Sequence, residues 1–208
     1  MPLASAAAGL EHVTGGRYAE PEAGGGLVGG GGGGGDESTA IADNWIKAWP
    51  CCLQTHGAIE AADRLDGPAP DDLTVTAHPI SLQAAGYGPE PADGLQAKFS
   101  IPYLTAYTLL HGPPTVASFA RVDAAAVERA KGIEVRTDAE LRESEFVLHG
   151  RGGQELVRVT AALGSPEQPM DAQALRAKVE GLGGAELANA LDDRARPAAD
   201  LLALAGIA

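Results

Sequence analysis

The sequence is poor in aromatic side chains, in cysteine and in positive charge, and each shortage excludes something. Phe, Trp and Tyr make up 4% of the 208 residues, so any core must be built from Ala, Val, Leu and Ile. A net charge of -13 argues against nucleic-acid binding and against a basic membrane-contact patch. The two cysteines are adjacent, which fits neither a zinc site nor an ordinary disulfide. We therefore expect no metal, and a reducing, cytoplasmic location.

Long apolar runs are also missing, so no membrane span is predicted. The N-terminus lacks the basic and apolar regions of a signal peptide. Glycine dominates the stretch AGGGLVGGGGGGGDESTA, which cannot bury enough apolar surface to offset the entropy lost on ordering. We predict that residues 1–40 form a low-complexity, disordered leader.

The pattern of a folded protein begins near Asp43. Alternating apolar residues predict about four strands, and the last two are joined by Gly152-Gly153, a typical hairpin signal. The predicted strands are 73–79, 133–138, 144–150 and 154–160. Helical periodicity and capping residues predict the helices 51–65, 98–112 and 122–132, followed by three C-terminal helices within 171–206. The predicted fold is α+β: a small antiparallel sheet with packed helices, plus C-terminal helices.

One short stretch, IKAWPCC, predicts chemistry by itself. Lys47 supplies a cation just before a predicted helix, and Pro50 suits the first turn of that helix. The amides of Cys51 and Cys52 would then be free to donate to an anion, together with the helix dipole. This predicts half of a carboxylate-binding site. The alternative is that Lys47 is a solvated surface lysine and both cysteines are small core residues.

Four stretches occur in an order that resembles the C-terminal part of the MmgE/PrpD family. They are IKAWPCCLQTHGAIEAA, AKFSIPYLTAYTLLHG, VDAAAVERAKGIEVRTD and LGSPEQPMDAQALRAKV. The family includes 2-methylcitrate dehydratase and cis-aconitate decarboxylase. The resemblance implies an α+β lid domain over residues 41–165. It also implies that residues 166–208 are the terminal helices of a helical domain. The sequence matches almost none of the rest of that domain.

The resemblance also implies roles for particular residues. Lys47 occupies a family active-site lysine position, and Tyr103 occupies an active-site tyrosine position. Cys52 falls where some members place a histidine, and His56 lies four residues later on the same helical face. Both are catalytic candidates, His56 as a binding or proton-transfer group. Lys98 flanks the same helix start as Tyr103 and is a candidate for substrate binding. The alternatives are a half-buried tyrosine with its hydroxyl at the surface, a histidine packed inside the lid, and a surface charge at Lys98.

The implied function is that of a lyase acting on a small di- or tricarboxylate, which is incomplete without the helical domain. No organic cofactor is implied. The implied partners are the polycarboxylate and either a second copy of the chain or a helical-domain partner. The alternative function is a non-catalytic remnant, or an interaction module that dimerises through the face the helical domain would cover.

Overall fold

The computed structural model describes residues 44–191, 193, 195–204 and 206. The predicted leader, residues 1–40, lies outside the described residues. Within the described part of the chain the helices and strands follow one another as α1, β1, α2 to α5, β2, β3, β4 and α6 to α8. The predicted α+β class is confirmed.

Eight α-helices are present in the described part of the chain, and several begin and end where the sequence predicts. Their bounds are α1 His56–Asp63, α2 Pro79–Ala84, α3 Gly94–Ala97, α4 Ile101–His111, α5 Ala124–Ala130, α6 Ala172–Gly181, α7 Ala185–Leu191 and α8 Ala198–Leu204. The Ser100 hydroxyl accepts a hydrogen bond from the Tyr103 amide at the start of α4. Gly112 ends that helix with a φ of 79°, which favours glycine.

The sheet has four strands in the order β2-β1-β3-β4. Their bounds are β1 Leu73–Ala77, β2 Ile133–Thr137, β3 Phe146–His149 and β4 Glu155–Val159. Two of the three pairings are antiparallel, and the hairpin predicted at Gly152-Gly153 joins β3 to β4. The expectation of a fully antiparallel sheet is wrong, because β1 and β2 pair in parallel. Helices α2 to α5 lie between them and carry the chain back to the same end of the sheet.

Helices α1 and α4 cover one face of the sheet and form the core with it. Leu73, Val75 and Ala77 point from β1 into this core, whereas Thr74 and Thr76 alternate towards the other face. The helices contribute small side chains, mainly alanines, at the contact. This is how a chain with few aromatic residues fills its interior: close approach of the backbones replaces large side chains.

Gly57 shows how close that approach is. A Cβ atom at this position would lie 2.2 Å from Cδ2 of Phe146, a distance that a real side chain does not tolerate. Glycine lowers helix propensity, but here it allows α1 to lie directly on the Phe146 ring of β3. The residue that weakens the helix in isolation therefore permits its packing.

The C-terminal helices contact mainly one another: α6 packs on α7, and α7 packs on α8. Three of their leucines, and Leu182 just after α6, stay substantially exposed; the three are Leu175, Leu202 and Leu204. Among the described residues, no helix has both the length and the apolar character needed to cross a membrane.

Candidate functional site

The segment before α1 is fixed by two backbone hydrogen bonds. The Ile46 amide donates to the Gly164 carbonyl at 2.9 Å, and the Cys52 amide donates to the Lys98 carbonyl at 3.0 Å. A Cβ at Gly164 would lie 1.9 Å from the Ile46 carbonyl oxygen, so glycine is needed for the first of these contacts. Lys47 lies between the two anchors with its side chain exposed.

The two cysteine amides are not free to bind an anion, contrary to expectation. The Cys51 amide donates to the Trp49 carbonyl at 2.9 Å, and the Cys52 amide donates to the Lys98 carbonyl. The helix also begins later than predicted: Cys52 is extended, a 3-10 turn spans Leu53–Thr55, and α1 starts at His56. The cause is local, because the Cys52 carbonyl accepts both the amide and the hydroxyl of Thr55 and so closes a turn before α1.

The cysteine side chains differ in their surroundings. Cys51 is buried, and burial raises the pKa of its thiol to about 11, although a hydrogen bond from the Thr55 hydroxyl opposes the rise. Cys51 is therefore a neutral core thiol at physiological pH. Cys52 is half-buried, and its sulfur lies 3.8 Å from the Ala84 carbonyl oxygen.

His56 is fully buried and neutral. Burial and the positive charges of Lys47 and Lys178 lower its pKa to about 4, with burial the larger cause. Its ring meets the edge of the Trp49 indole at a centroid distance of 5.1 Å. Neither ring nitrogen has a hydrogen-bond partner among the described residues, although the Trp49 backbone opposes the lowering of the pKa. An unpaired buried imidazole is costly, so neutrality reduces the cost without removing it.

Tyr103 is also buried, with only 1% of its surface exposed. Its phenol oxygen accepts a hydrogen bond from the Asp123 amide at 3.0 Å, and burial raises the pKa of the phenol. The alternative of a tyrosine with its hydroxyl at the surface is therefore wrong. The phenol stays protonated at neutral pH and retains one hydrogen to donate.

Lys98 lies half-buried at the C-terminal end of α3. Its Nζ atom sits 5.2 Å from the centroid of the Phe119 ring, a cation–π contact. This contact and the bond from Cys52 to its carbonyl give Lys98 a structural role. Its expected part in substrate binding stays a prediction.

The structure brings the two predicted helix starts side by side. Cys51 and Tyr103 belong to one buried cluster, together with Ile59 and Leu104. Packed side chains fill the space between the two starts. The cavities in the described part of the chain include four of about 330 to 1000 Å³, and none of these four is lined by any of the six candidate residues.

Sequence reasoning missed Glu60, a buried carboxylate on α1. Its oxygens accept hydrogen bonds from the Leu163 amide and from Gln168 Nε2, each at 2.7 Å, and Arg64 pairs with it at 2.5 Å. Glu60 thereby ties α1 to the loop that leads into α6. The i,i+4 spacing of Glu60 and Arg64 was a visible signal, but it predicts only a surface pair.

Lys178 was also missed, because it lies in a helix that reads as an ordinary amphipathic element. Its positive charge is the smallest of the causes that act on the pKa of His56. The described residues contain no group of three or more His, Cys, Asp or Glu side chains arranged to hold a metal ion.

Comparison with protein families gives one match. The sequence model described as the MmgE/PrpD C-terminal domain matches residues 49–203, which include the sheet, its covering helices and α6 to α8. The comparison with curated proteins gave no match.

Proposed function

Because the chain belongs to the MmgE/PrpD family, we propose that it forms the substrate-closing lobe of a lyase that acts on a small di- or tricarboxylate. The observation that carries this proposal is Lys47. It is an exposed cation that makes no hydrogen bond or ion pair among the described residues, in a chain whose net charge is -13. In such a field, an unpaired cation beside buried titratable groups is suited to binding an anion.

The chemistry that this lobe contributes follows from its protonation states. Lys47 binds a carboxylate of the substrate and so favours negative charge that develops on the neighbouring carbon. The Tyr103 phenol is protonated but buried, so it holds the start of α4 in place rather than reaching the substrate, and Cys52 is the more accessible thiol. Because the space between the helix starts is packed, the substrate binds where this lobe meets a helical domain. That domain supplies the base that removes the proton.

A second function is favoured by the exposed leucines of α6 and α8. A non-catalytic module would use this apolar face to dimerise or to dock on a helical partner. Both functions place the chain in the cytoplasm, where its two thiols remain reduced.

The deciding experiment is a turnover assay on 2-methylcitrate and on cis-aconitate. The chain is tested alone and with a helical domain encoded by a neighbouring reading frame. We expect turnover only in the combination, and loss of most of it in Lys47→Ala. Lys131→Ala is the matched control, since Lys131 already pairs with Glu90 and Glu128. Absence of turnover in every combination removes the lyase function and leaves the interaction module.

A further inference from the structure

Strand β2 forms one edge of the sheet, and its pairing with β1 fixes the direction of its backbone groups. The sheet order gives β2 a single neighbour. The Leu73 amide donates to the Gly132 carbonyl at 3.2 Å, and the Asp138 amide donates to the Ala77 carbonyl at 3.0 Å. Because backbone groups alternate in direction along a strand, the even-numbered residues of β2 turn theirs towards β1. The odd-numbered residues turn theirs towards the outer edge of the sheet.

This outer edge presents a row of donors and acceptors from Ile133, Val135 and Thr137. Within the described part of the chain, their amides and carbonyls make no hydrogen bond on that side. The register of β2 with β1 runs from end to end without a bulge. The other edge strand, β4, shifts register against β3 between Leu148 and His149, and such bulges oppose further pairing. Of the two edges, β2 is therefore the one suited to accept another strand.

The charged residues of β2 are complementary to a second copy of the same strand. Glu134 and Arg136 lie on the face of the sheet away from α1 and α4, and their side chains are 56% and 61% exposed. Charged side chains at an edge often oppose strand pairing. A run of one sign would repel a second copy of β2. Opposite signs two residues apart instead attract it when the two strands run antiparallel.

One register satisfies both the backbone groups and these charges. In antiparallel pairing about Val135, the Val135 residues of the two copies exchange both of their backbone hydrogen bonds, and Ile133 pairs with Thr137 of the other copy. Glu134 then lies directly opposite Arg136 of the other copy. That position is not hydrogen-bonded, and side chains approach each other most closely there. The arrangement has two-fold symmetry, so each contact occurs twice.

An apolar surface lies beside this edge, on the side of the helices. A cavity of about 330 Å³ is lined by Ile133, Val135, Tyr87 and Pro89, among other residues. The Tyr87 side chain is 49% exposed, although it is a large aromatic group in a chain that has few. A strand added to β2 would place its own apolar side chains next to Val135 on this side. Apolar contact would thus accompany the hydrogen bonds and the ion pairs.

We propose that two copies of the chain associate by antiparallel pairing of their β2 edges about Val135, which joins their sheets into one. This interface uses none of the candidate site residues and does not depend on the lyase function. It is also separate from the exposed leucines of α6 and α8. A strand pair with a small apolar flank buries less surface than a permanent interface, so we expect a dissociation constant in the micromolar range.

The test measures the sedimentation of the full chain over a range of concentrations. Arg136→Glu places a glutamate opposite Glu134 of the other copy at both ends of the pairing, and we expect it to weaken association about tenfold. The double variant Glu134→Arg with Arg136→Glu restores opposite signs and should restore association. A variant that had merely lost stability would not be rescued in this way. Circular dichroism checks that each variant is folded.

Hydrogen exchange followed by NMR gives a second readout. In dilute solution, the amides of Ile133, Val135 and Thr137 should exchange faster than those of Glu134 and Arg136, which bond to β1. At concentrations where the dimer forms, the odd-numbered amides should become protected as well. An interface elsewhere on the molecule would leave this alternation unchanged.

Leu202→Ser on α8 is the control for the competing surface, and it should associate like the unaltered chain. If Leu202→Ser abolishes association and Arg136→Glu does not, the interface lies on the C-terminal helices and this inference is overturned. A chain that stays monomeric at every concentration also overturns it. So does protection of the odd-numbered amides in the monomer, since another segment of the chain would then cover the edge. None of these results changes the outcome expected of the turnover assay.

Discussion

At the residue scale, the charge state of His56 depends strongly on folding. Its pKa is about 4 in the folded chain and 6.5 in an unfolded one, because burial and two lysines disfavour the imidazolium. As pH falls, the unfolded state takes up the proton first. The contribution of His56 to stability is therefore complete above pH 6.5 and is lost as pH falls towards 4.

The low pKa of His56 predicts how much the free energy of unfolding falls in acid. Between pH 7 and pH 5 the free energy of unfolding should fall by about 2 kcal/mol through His56 alone. Urea unfolding at the two pH values measures the change. In His56→Phe the fall should shrink by about that amount, since phenylalanine does not titrate. An equal fall in both proteins would mean that His56 is not held neutral.

At this scale the sequence predicted which residues lie near the two helix starts, but it did not predict how buried they are. Lys47 and Tyr103 could be picked out, and their helix starts do lie together. Their accessibility could not be predicted, because it depends on which side chains of other elements fill the space, such as Ile59 and Leu104. For Cys51 the sequence left two interpretations open, an exposed helix start and a small core residue, and the structure confirms the second.

At the element scale, α1 depends on Gly57. In Gly57→Ala the added methyl group would overlap the Phe146 ring at 2.2 Å, so α1 must shift away from β3. We expect a loss of about 1–3 kcal/mol of stability, although alanine has the higher helix propensity. Thermal unfolding monitored by circular dichroism measures the loss.

Gly181 provides the control for this prediction. It also lies in a helix, α6, but nothing stands within 4 Å of the position that its Cβ would take. Gly181→Ala should be neutral or stabilising by up to about 1 kcal/mol. A similar loss in both variants would contradict the packing explanation.

The elements with strong local signals were predictable, and those without them were not. Ser100 and Gly112 bound α4 as expected, and Asp123 caps α5 through the Ala126 amide. Helices α2 and α3 were missed because they are short and interrupt glycine- and proline-rich segments. The parallel pairing of β1 with β2 was missed for another reason. The direction of pairing depends on the path of the helices that connect the two strands, and the residues of the strands do not indicate that path.

At the scale of the whole molecule, α6 and α8 are the least buried of the helices. Neither α6 nor α8 contains a buried residue, whereas seven residues of α4 are buried. We expect amides in α6 to α8 to exchange with deuterium faster than those in α4 and β1, because fewer apolar contacts resist their opening. Mass spectrometry of peptides after exchange tests this. Equal protection would show that these helices are held as firmly as the core.

The order of the strands in the sheet has a consequence for synthesis. β1 occupies an interior position, but its neighbours β2 and β3 both follow it in the chain, beyond four helices. At ribosomal rates, β1 leaves the exit tunnel roughly several seconds before either neighbour exists. During that interval Leu73 and Val75 have no strand to pair with. The nascent chain should therefore need shielding by a chaperone at this point of translation.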